Sequence, residues 1–513
     1  MQPQRVTKSV CTSDVQVNTI LEDSNIQNYF KDKSVFITGS TGFLGKALVE
    51  KLLRSCSQIN NVYLLIRPKR GTDAKLRHKE LLKSSVFDRL REEGNTKVFD
   101  KLKIVSGDVT LPHLGISDED RRELIKEVAV VFHSAATVKF NETLKTAVQL
   151  NTQGTQRVTD LCLEMKRLEA FVHVSTAYSN ADKKKISEKI YKPVMDPKEL
   201  IHYCETLSDE ELEILEKEIQ GNHPNTYTLT KNMAENIVAD ASSKIPISIV
   251  RPSIVTAALF EPVPGWVDNV SGISGIMMEI GRGTSRGTIR SIVCEDTLVV
   301  DIIPVDLVVN TLISAAWKTG TSQTKELQVY NCSSGHTNPL SWRDLGIMCH
   351  KYALKTPSKY IQFYPGFSFR TNRFAHRFCE LLYHFLPALL LDIFLQVQKQ
   401  KPMMMKIYTR FKKAAKTGEF FALNEWHFGS RNIKKLAESL KTSHDWQIFP
   451  VDMRILKYDA YVKNYMIGIR KYVLNDPDKS LPSARRKLQA LFWATKLIDV
   501  AFGSVLLKVI KFK

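Results

Sequence analysis

The chain has 513 residues, 43% hydrophobic and 25% charged, the composition of a globular protein with a sizeable core and, by length, room for two domains plus tails. Its formal net charge of +19, from 73 basic and 54 acidic residues, favours a polyanionic ligand, an anionic membrane surface or nucleic acid; a solvated basic surface is the plain alternative. Eight cysteines are scattered with no C-x-x-C pair, which argues against a disulfide framework or a zinc site and for a reducing compartment.

The first 30 residues lack a charged segment followed by an apolar run, so they read as an arm rather than a signal peptide. Residues 31–350 then alternate β-rich runs with helical patterns. The strands are expected at Ser34–Thr38, Val62–Ile66, Leu102–Ser106, Val128–His133, Ala170–Val174 and Ile247–Val250. Leu44, Leu48 and Leu52 mark one apolar stripe on the first helix. Such alternation predicts an α/β fold, a Rossmann-type doubly wound parallel sheet with a dinucleotide crevice at its switch point.

The first strand runs into Gly39-Ser40-Thr41-Gly42-Phe43-Leu44-Gly45 and then a helix. Gly39 permits a sharp turn, Gly42 lets backbone approach a pyrophosphate, and Gly45 lets helix and strand pack closely. The helix N-terminus supplies N–H groups to the phosphates. The second strand ends Arg67-Pro68-Lys69-Arg70 with no acid before Asp73, so the cofactor reads as NADPH rather than NADH. Arg67 is the first choice for the 2′-phosphate and Arg70 the second, because a guanidinium fork matches phosphate. Asp108 and Val109, after the third strand, and Ala135 and Ala136, after the fourth, are expected to line the crevice, with Asp108 accepting from the adenine amino group.

The fifth strand ends Val174-Ser175-Thr176-Ala177-Tyr178. The acidic stretch Glu205–Glu218 reads as a surface helix in an insertion. Tyr227 and Lys231 then have the Y-x-x-x-K spacing, one turn apart on a helix. A neighbouring ammonium is expected to lower the tyrosine pKa, making Tyr227 a proton donor, while Lys231 also holds the cofactor ribose. Thr176, with Ser175 as the alternative, can help polarise a carbonyl. Tyr408 and Lys412 repeat the spacing outside this context and read as coincidence. Pro252, after the sixth strand, would fix backbone near the nicotinamide. Phe260–Gly283, with Ile276, Met277 and Met278, reads as a flexible apolar flap suited to an acyl chain. Arg282, Arg286 and Arg290 could meet coenzyme A phosphates or form a solvated loop.

Residues 351–478 read as a smaller, mainly helical domain, including an apolar run Leu386–Leu395 broken by Pro387 and carrying Asp392. Asn475–Pro482 reads as a linker. In the tail, residues 479–513, Arg485, Arg486 and Lys487 precede an apolar run Leu488–Leu507 interrupted by Lys496 and Asp499. An interfacial helix, a weak span and a helix docked on its own protein all fit it.

Taken together, the glycine loop, the basic second-strand end, V-S-T-A-Y and N-T-Y-T-L-T-K resemble the extended short-chain dehydrogenase/reductase superfamily. Within it, SVFITGSTGFLGKALVEKLL, YLLIRPKRG, VFHSAATVKF, IVRPSIV and PVPGWVDN resemble the animal alcohol-forming fatty acyl-CoA reductases, from about residue 22 onward. That resemblance implies Thr176, Tyr227 and Lys231 as the catalytic set with Asn151 in support. It also implies no metal, and reduction of a long-chain acyl-CoA to a primary alcohol with two NADPH through an aldehyde. It leads one to expect an acyl-CoA substrate, a membrane met through the tail, no nucleic acid, and room for a homodimer. The cytosolic face of the endoplasmic reticulum is the expected location, with the peroxisomal membrane the alternative, because Ile510-Lys511-Phe512-Lys513 is not an S-K-L address. The competing expectations are an extended dehydrogenase of steroids or sugar nucleotides and a non-catalytic NADPH-binding sensor.

Overall fold

The computed structural model describes residues 24–69, 71–281, 291–322, 326–361, 364–365 and 368–511. Seven short runs pair into one parallel sheet: β1 Ser34–Thr38, β2 Val62–Ile66, β3 Leu102–Ser106, β4 Val128–His133, β5 Ala170–Val174, β6 Ile247–Pro252 and β7 Gln328–Cys332. Their spatial order is β7-β6-β5-β4-β1-β2-β3. Every residue of β1, β2, β4, β5 and β6 is buried, as expected of central strands with helices on both faces. β3, at the edge, mixes buried and exposed positions. Six strands lie where the hydrophobic runs put them, the sixth continuing two residues further to Pro252. β7 is an addition to that reading.

Chain order reverses between β1 and β4, so the crevice opens above the ends of those two strands. Helix α1, Phe43–Ser55, leaves the end of β1, with Leu48, Leu52 and Leu53 in the main core. Helix α2, Thr226–Ala241, precedes β6 and is capped by Asn225, whose side chain accepts from the Thr228 N–H at 3.0 Å. That cap fixes the first turn of α2, which carries Tyr227. Its loss would cost about 1 kcal/mol. The acidic insertion forms two helices, Pro197–Thr206 and Asp209–Gln220, the second opened by a Ser208–Glu211 capping box.

The apolar stretch after β6 is not a loose flap. Gly272–Gly281 is a helix whose Ile273 and Met277, one turn apart, are buried in the main core, and Trp266 beside it is fully buried. Ser274 Oγ and Tyr465 Oη lie 2.6 Å apart and pin it to the C-terminal helices. Apolar side chains at helical spacing found a partner surface, so the segment is packed. The three arginines of 282–290 lie outside the described residues.

The C-terminal region shares this core: Leu436, Leu440, Phe449, Tyr461 and Met466 belong to the same buried cluster as α1. Three further helices build an arm: α3 Arg373–Glu380, α4 Leu386–Val397 and α5 Met404–Ala422. Pro387 does not break the apolar run: it lies in the first turn of α4, directly after a helical π-turn, where the hydrogen-bond ladder is already shifted. A π-turn, Leu381–Phe385, joins α3 to α4. The stretch read as a linker is tied down: Asp476 is buried against Arg470 at 3.2 Å and leads into helix α6, Leu481–Lys511. Among the described residues no helix is long and apolar enough to cross a membrane.

Candidate active site

The glycine loop closes tightly on its neighbours. Gly39 has φ +75°, and a Cβ there would lie 2.7 Å from Ala135 N. A Cβ on Gly45 would lie 2.2 Å from the Gly39 carbonyl oxygen, so loop and helix touch backbone to backbone. A Cβ on Gly42 would meet only the Gly39 oxygen, at 3.2 Å, and its outer side is open. No side chain caps α1, which leaves its first N–H groups facing the crevice. Ser40 is fully buried, and its hydroxyl has no partner among the described residues. An orphaned hydroxyl beside an uncapped helix start fits a dinucleotide pyrophosphate. Thr41 borders the same loop, whereas Phe43 stacks on Trp266 at 5.3 Å and Leu44 packs on the core, so these two offer only backbone to a ligand.

At the β2 end, Arg67 is half-exposed and its Nε lies 3.6 Å from Asp108 Oδ2. A second guanidinium joins it. Arg77, on the helix Ala74–Leu82, donates to the Arg67 carbonyl and, at 3.1 Å, to Thr41 Oγ1. Arg77 thus links the glycine loop to the β2 end, and its pKa is lowered by burial and by the nearby Arg67 charge. Sequence reasoning missed it because only folding returns it to the loop. Arg70 lies outside the described residues. Val109 is buried under the Arg157 guanidinium, which donates to its carbonyl at 3.0 Å.

A polar chain connects this crevice to α2. Thr38 Oγ1 accepts from Ala135 N at 3.2 Å and sits 2.7 Å from His133 Nδ1; His133 Nε2 lies 3.0 Å from Thr155 Oγ1, which donates to the Asn151 carbonyl at 2.6 Å. Thr155 therefore accepts from Nε2–H, and Nδ1 accepts from Thr38, so His133 is a neutral tautomer. Burial pushes its pKa down to about 3, in agreement. Asn151, inside a π-turn, accepts from Thr137 N at 2.9 Å and donates to Thr230 Oγ1 at 3.0 Å. It thereby positions both the loop carrying Ala135 and Ala136 and the helix carrying Tyr227.

The structure separates the two hydroxyls at the β5 end. Ser175 Oγ donates to Glu235 Oε1 at 2.5 Å and is committed there. Thr176 faces Tyr227, and a side-chain hydrogen bond from it opposes the rise of the tyrosine pKa. That pKa is nonetheless pushed up to about 12 by burial. The expected lowering by Lys231 does not occur, since Lys231 Nζ donates at 2.8 Å to the Val174 carbonyl instead. Burial brings Lys231 down to about 8, partly offset by Glu235 one turn further along.

Glu235 and Arg251 form a fully buried ion pair at 2.6 Å, which sequence reasoning also missed. Ser179 donates to the same carboxylate at 2.9 Å, while Arg251 also donates to the Ser187 and Lys189 carbonyls. Tyr227, Lys231 and Glu235 thus occupy one face of α2, ending in an anchor against the strand that carries Pro252, itself buried. Over Tyr227 the ring of Phe140 stacks at 5.8 Å. Phe421, from the end of α5, lies 5.4 Å from Phe140 and 5.1 Å from Tyr178. An aromatic wall therefore borders a buried proton donor and a buried ammonium, beside a crevice built for a dinucleotide. Such a site can protonate a carbonyl that is being reduced.

Comparison with known proteins agrees with this geometry. Residues 37–312 match a family model of NAD-binding type described as "Male sterility protein", and residues 383–476 match a second model of the same description. The chain is 41% identical to fatty acyl-CoA reductase 1 of Rattus norvegicus, over 91% of this chain and 90% of the relative. It is 40% identical to the Xenopus laevis protein of that name (95% and 92%) and 37% identical to a putative fatty acyl-CoA reductase of Drosophila melanogaster (96% and 95%). In fold it is similar to the terminal reductase domain of the myxalamid biosynthetic pathway, with TM-score 0.56 at 17% identity, covering 87% of this chain and 93% of that one. The reductase domain of a nonribosomal peptide synthetase from Mycobacterium tuberculosis gives TM-score 0.55 at 16% identity, covering 89% and 95%. The chain belongs to the fatty acyl-CoA reductase family, on an extended short-chain dehydrogenase/reductase fold.

Proposed function

We propose that this protein reduces long-chain fatty acyl-CoA to the primary alcohol with NADPH, and that Tyr227, Thr176 and Lys231 carry the proton chemistry. The observation that carries the reading is the buried, still-protonated Tyr227 phenol beside Thr176, at the mouth of a dinucleotide crevice, in a chain about 40% identical to named fatty acyl-CoA reductases.

What supports NADPH is the Arg67 and Arg77 pair, two guanidiniums at the β2 end, where an acid would favour the free ribose hydroxyls of NADH. Gly39, Gly42 and Gly45 with the start of α1 would hold the pyrophosphate. Asp108 and Val109 would hold the adenine side, and Ala135, Ala136 and Pro252 the nicotinamide side. When bound, the reduced nicotinamide supplies the electron pair for each of two successive reductions. Tyr227 and Thr176 donate hydrogen bonds to the substrate carbonyl oxygen and offset the charge that develops there. In the first round the tetrahedral intermediate collapses, the C–S bond breaks and CoA leaves as thiolate. In the second round Tyr227 gives its proton to the aldehyde oxygen, forming the alcohol. The Lys231 ammonium, held on the Val174 carbonyl, would bind the cofactor ribose, and solvent returns the proton to Tyr227. Phe140, Phe421 and Tyr178 wall the acyl chain.

The tail is read as an interfacial helix on the cytosolic face of the endoplasmic reticulum: Trp493 and Leu497, one turn apart on α6, are exposed, and Arg485, Arg486 and Lys487 precede them. Residues 31–350 would hold cofactor and substrate, and 351–478 would form the helical region.

The test is an assay of purified protein with C12–C24 acyl-CoAs and either NADPH or NADH. Alcohol from long-chain substrates, made at least tenfold faster with NADPH, is the expected result. Absence of any acyl-derived product, in protein that binds NADPH, would overturn the reading.

A further inference from the structure

The arm carries an apolar stripe that the active site does not use. Phe374, Phe378 and Leu381 follow one another at i, i+4 and i+7 along α3 and the π-turn, and Leu390, Phe394 and Val397 do so along α4. All six are exposed, Phe374 by 82% and Val397 by 77%. The opposite side of the same arm is fastened to α5. Arg373 pairs with Glu419 at 2.8 Å, and Glu380 accepts from Tyr408 at 2.8 Å and pairs with Lys412 at 3.0 Å. Asp392 accepts from the N–H groups of Met403, Met404 and Met405 at 2.8–2.9 Å. The arm therefore runs antiparallel to α5 with its apolar stripe turned outward. A continuous stripe of this kind marks an interaction surface rather than scattered exposure.

Charge identifies the partner. Residues 370–419 contain ten basic and three acidic residues, a net +7 out of +19 for the whole chain. All three acids are those just named, each engaged where the arm meets α5 or the start of α5. Arg377, Lys399, Lys401, Lys406, Lys413 and Lys416 are exposed and make no ion pair among the described residues. An apolar stripe on an arm carrying so many unpaired cations is complementary to anionic lipid: aromatic and aliphatic groups enter the headgroup layer and cations meet phosphates. Pairing with a second copy would instead oppose two regions of +7.

We propose that the Arg373–Val397 arm lies flat in the headgroup layer of an anionic phospholipid surface, separately from the C-terminal tail. Its direction relates that surface to the reaction. Arg373 pairs with Glu419, two residues before Phe421 on α5, and Phe421 and Phe140 lead to the Tyr227 ring. The Arg373 end of the arm is thus fastened to the end of α5 that carries Phe421, and from that side a bilayer-dissolved acyl chain would enter. This last clause rests on the activity proposed above; the docking itself does not.

The test uses the full chain and flotation with vesicles of phosphatidylcholine, alone or with 30% phosphatidylserine. The native protein is expected to float with the anionic vesicles, less so at high salt. The variant F374E/F378E/L390E/V397E is expected to lose at least tenfold in bound fraction and to keep its activity on a short, water-soluble acyl-CoA. W493E/L497E, in the tail, is expected to keep more than half the binding. Equal flotation of the arm variant and the native protein would overturn the proposal. So would unchanged flotation with a dimer-to-monomer shift in sedimentation, which would assign the face to a second copy. If the fourfold variant does not fold, the conservative F374W and V397W each add a fluorophore. Quenching of that added emission by brominated lipid is expected, and its absence overturns the proposal equally. Native protein that makes alcohol but does not float fails this proposal alone, and native protein that floats but makes no alcohol fails the activity alone.

Discussion

Tyr227–Lys231 and Tyr408–Lys412 share one spacing on two helices, and the protein treats them in opposite ways. On α5 the two side chains meet, Lys412 Nζ lying 3.3 Å from Tyr408 Oη, with Glu380 holding both. Burial and then the carboxylate raise the tyrosine pKa, and the same carboxylate raises that of a half-exposed lysine. On α2 the lysine turns to the Val174 carbonyl, and burial alone drives the pair apart, tyrosine upward and lysine downward. Spacing delivers neighbours. The surroundings decide whether they form a strut on a surface or an acid with a cation whose charge can be lost near neutral pH.

The widest gap between the two pairs should appear in turnover. Tyr227→Phe is expected to lower kcat by about 10³-fold, the scale of a lost proton donor, with NADPH binding retained, whereas Tyr408→Phe should stay within about twofold. Steady-state kinetics on both variants checks this, and equal losses would dissolve the distinction. The carboxylates behind each lysine extend the comparison to stability. Glu235→Gln leaves the buried Arg251 charge unpaired and should cost about 3–5 kcal/mol in denaturant unfolding. Glu380→Gln, which removes a contact to the half-exposed Lys412, should cost under about 1 kcal/mol.

A smaller effect is expected at the β2 end. Arg67→Ala and Arg77→Ala each remove one guanidinium and should raise KM for NADPH by about 10–100-fold, with little change for NADH, since a charged hydrogen bond is worth about 1.5–3 kcal/mol. The pH profile gives the finest test. Lys231 loses its proton as pH rises through about 8, while Tyr227, at about 12, stays protonated. kcat/KM should therefore be flat below pH 8 and fall above it. In Lys231→Arg, whose charge persists, that limb should vanish from the residual activity. A limb that stays in place would assign it to another group.

Much of the sheet and the glycine loop was legible because buried parallel strands write themselves as unbroken apolar runs and the loop's glycines answer to close backbone approach. Tyr227, Lys231 and Thr176 could be nominated from spacing and strand position. Their proton affinities could not, because these depend on burial contributed by segments as distant as Phe140 and Phe421. No spacing or motif pairs Glu235 with Arg251 until folding buries them together. Arg77 lies ten residues past Arg67 with no pattern to mark it. β7 is a five-residue run, Gln328–Cys332, with polar residues at Gln328 and Asn331, too short and mixed to stand out. The apolar stretch after β6 suggested mobility by composition, but its partners lay in the C-terminal helices, nearly two hundred residues on in the case of Tyr465.

The most direct test of the central claim is the number of NADPH oxidised per alcohol formed from a saturated C16 acyl-CoA, with free CoA measured in the same reaction. Two NADPH and one CoA per alcohol is the expected result. One NADPH per CoA with aldehyde as the only product would contradict it, since the site would then complete a single reduction.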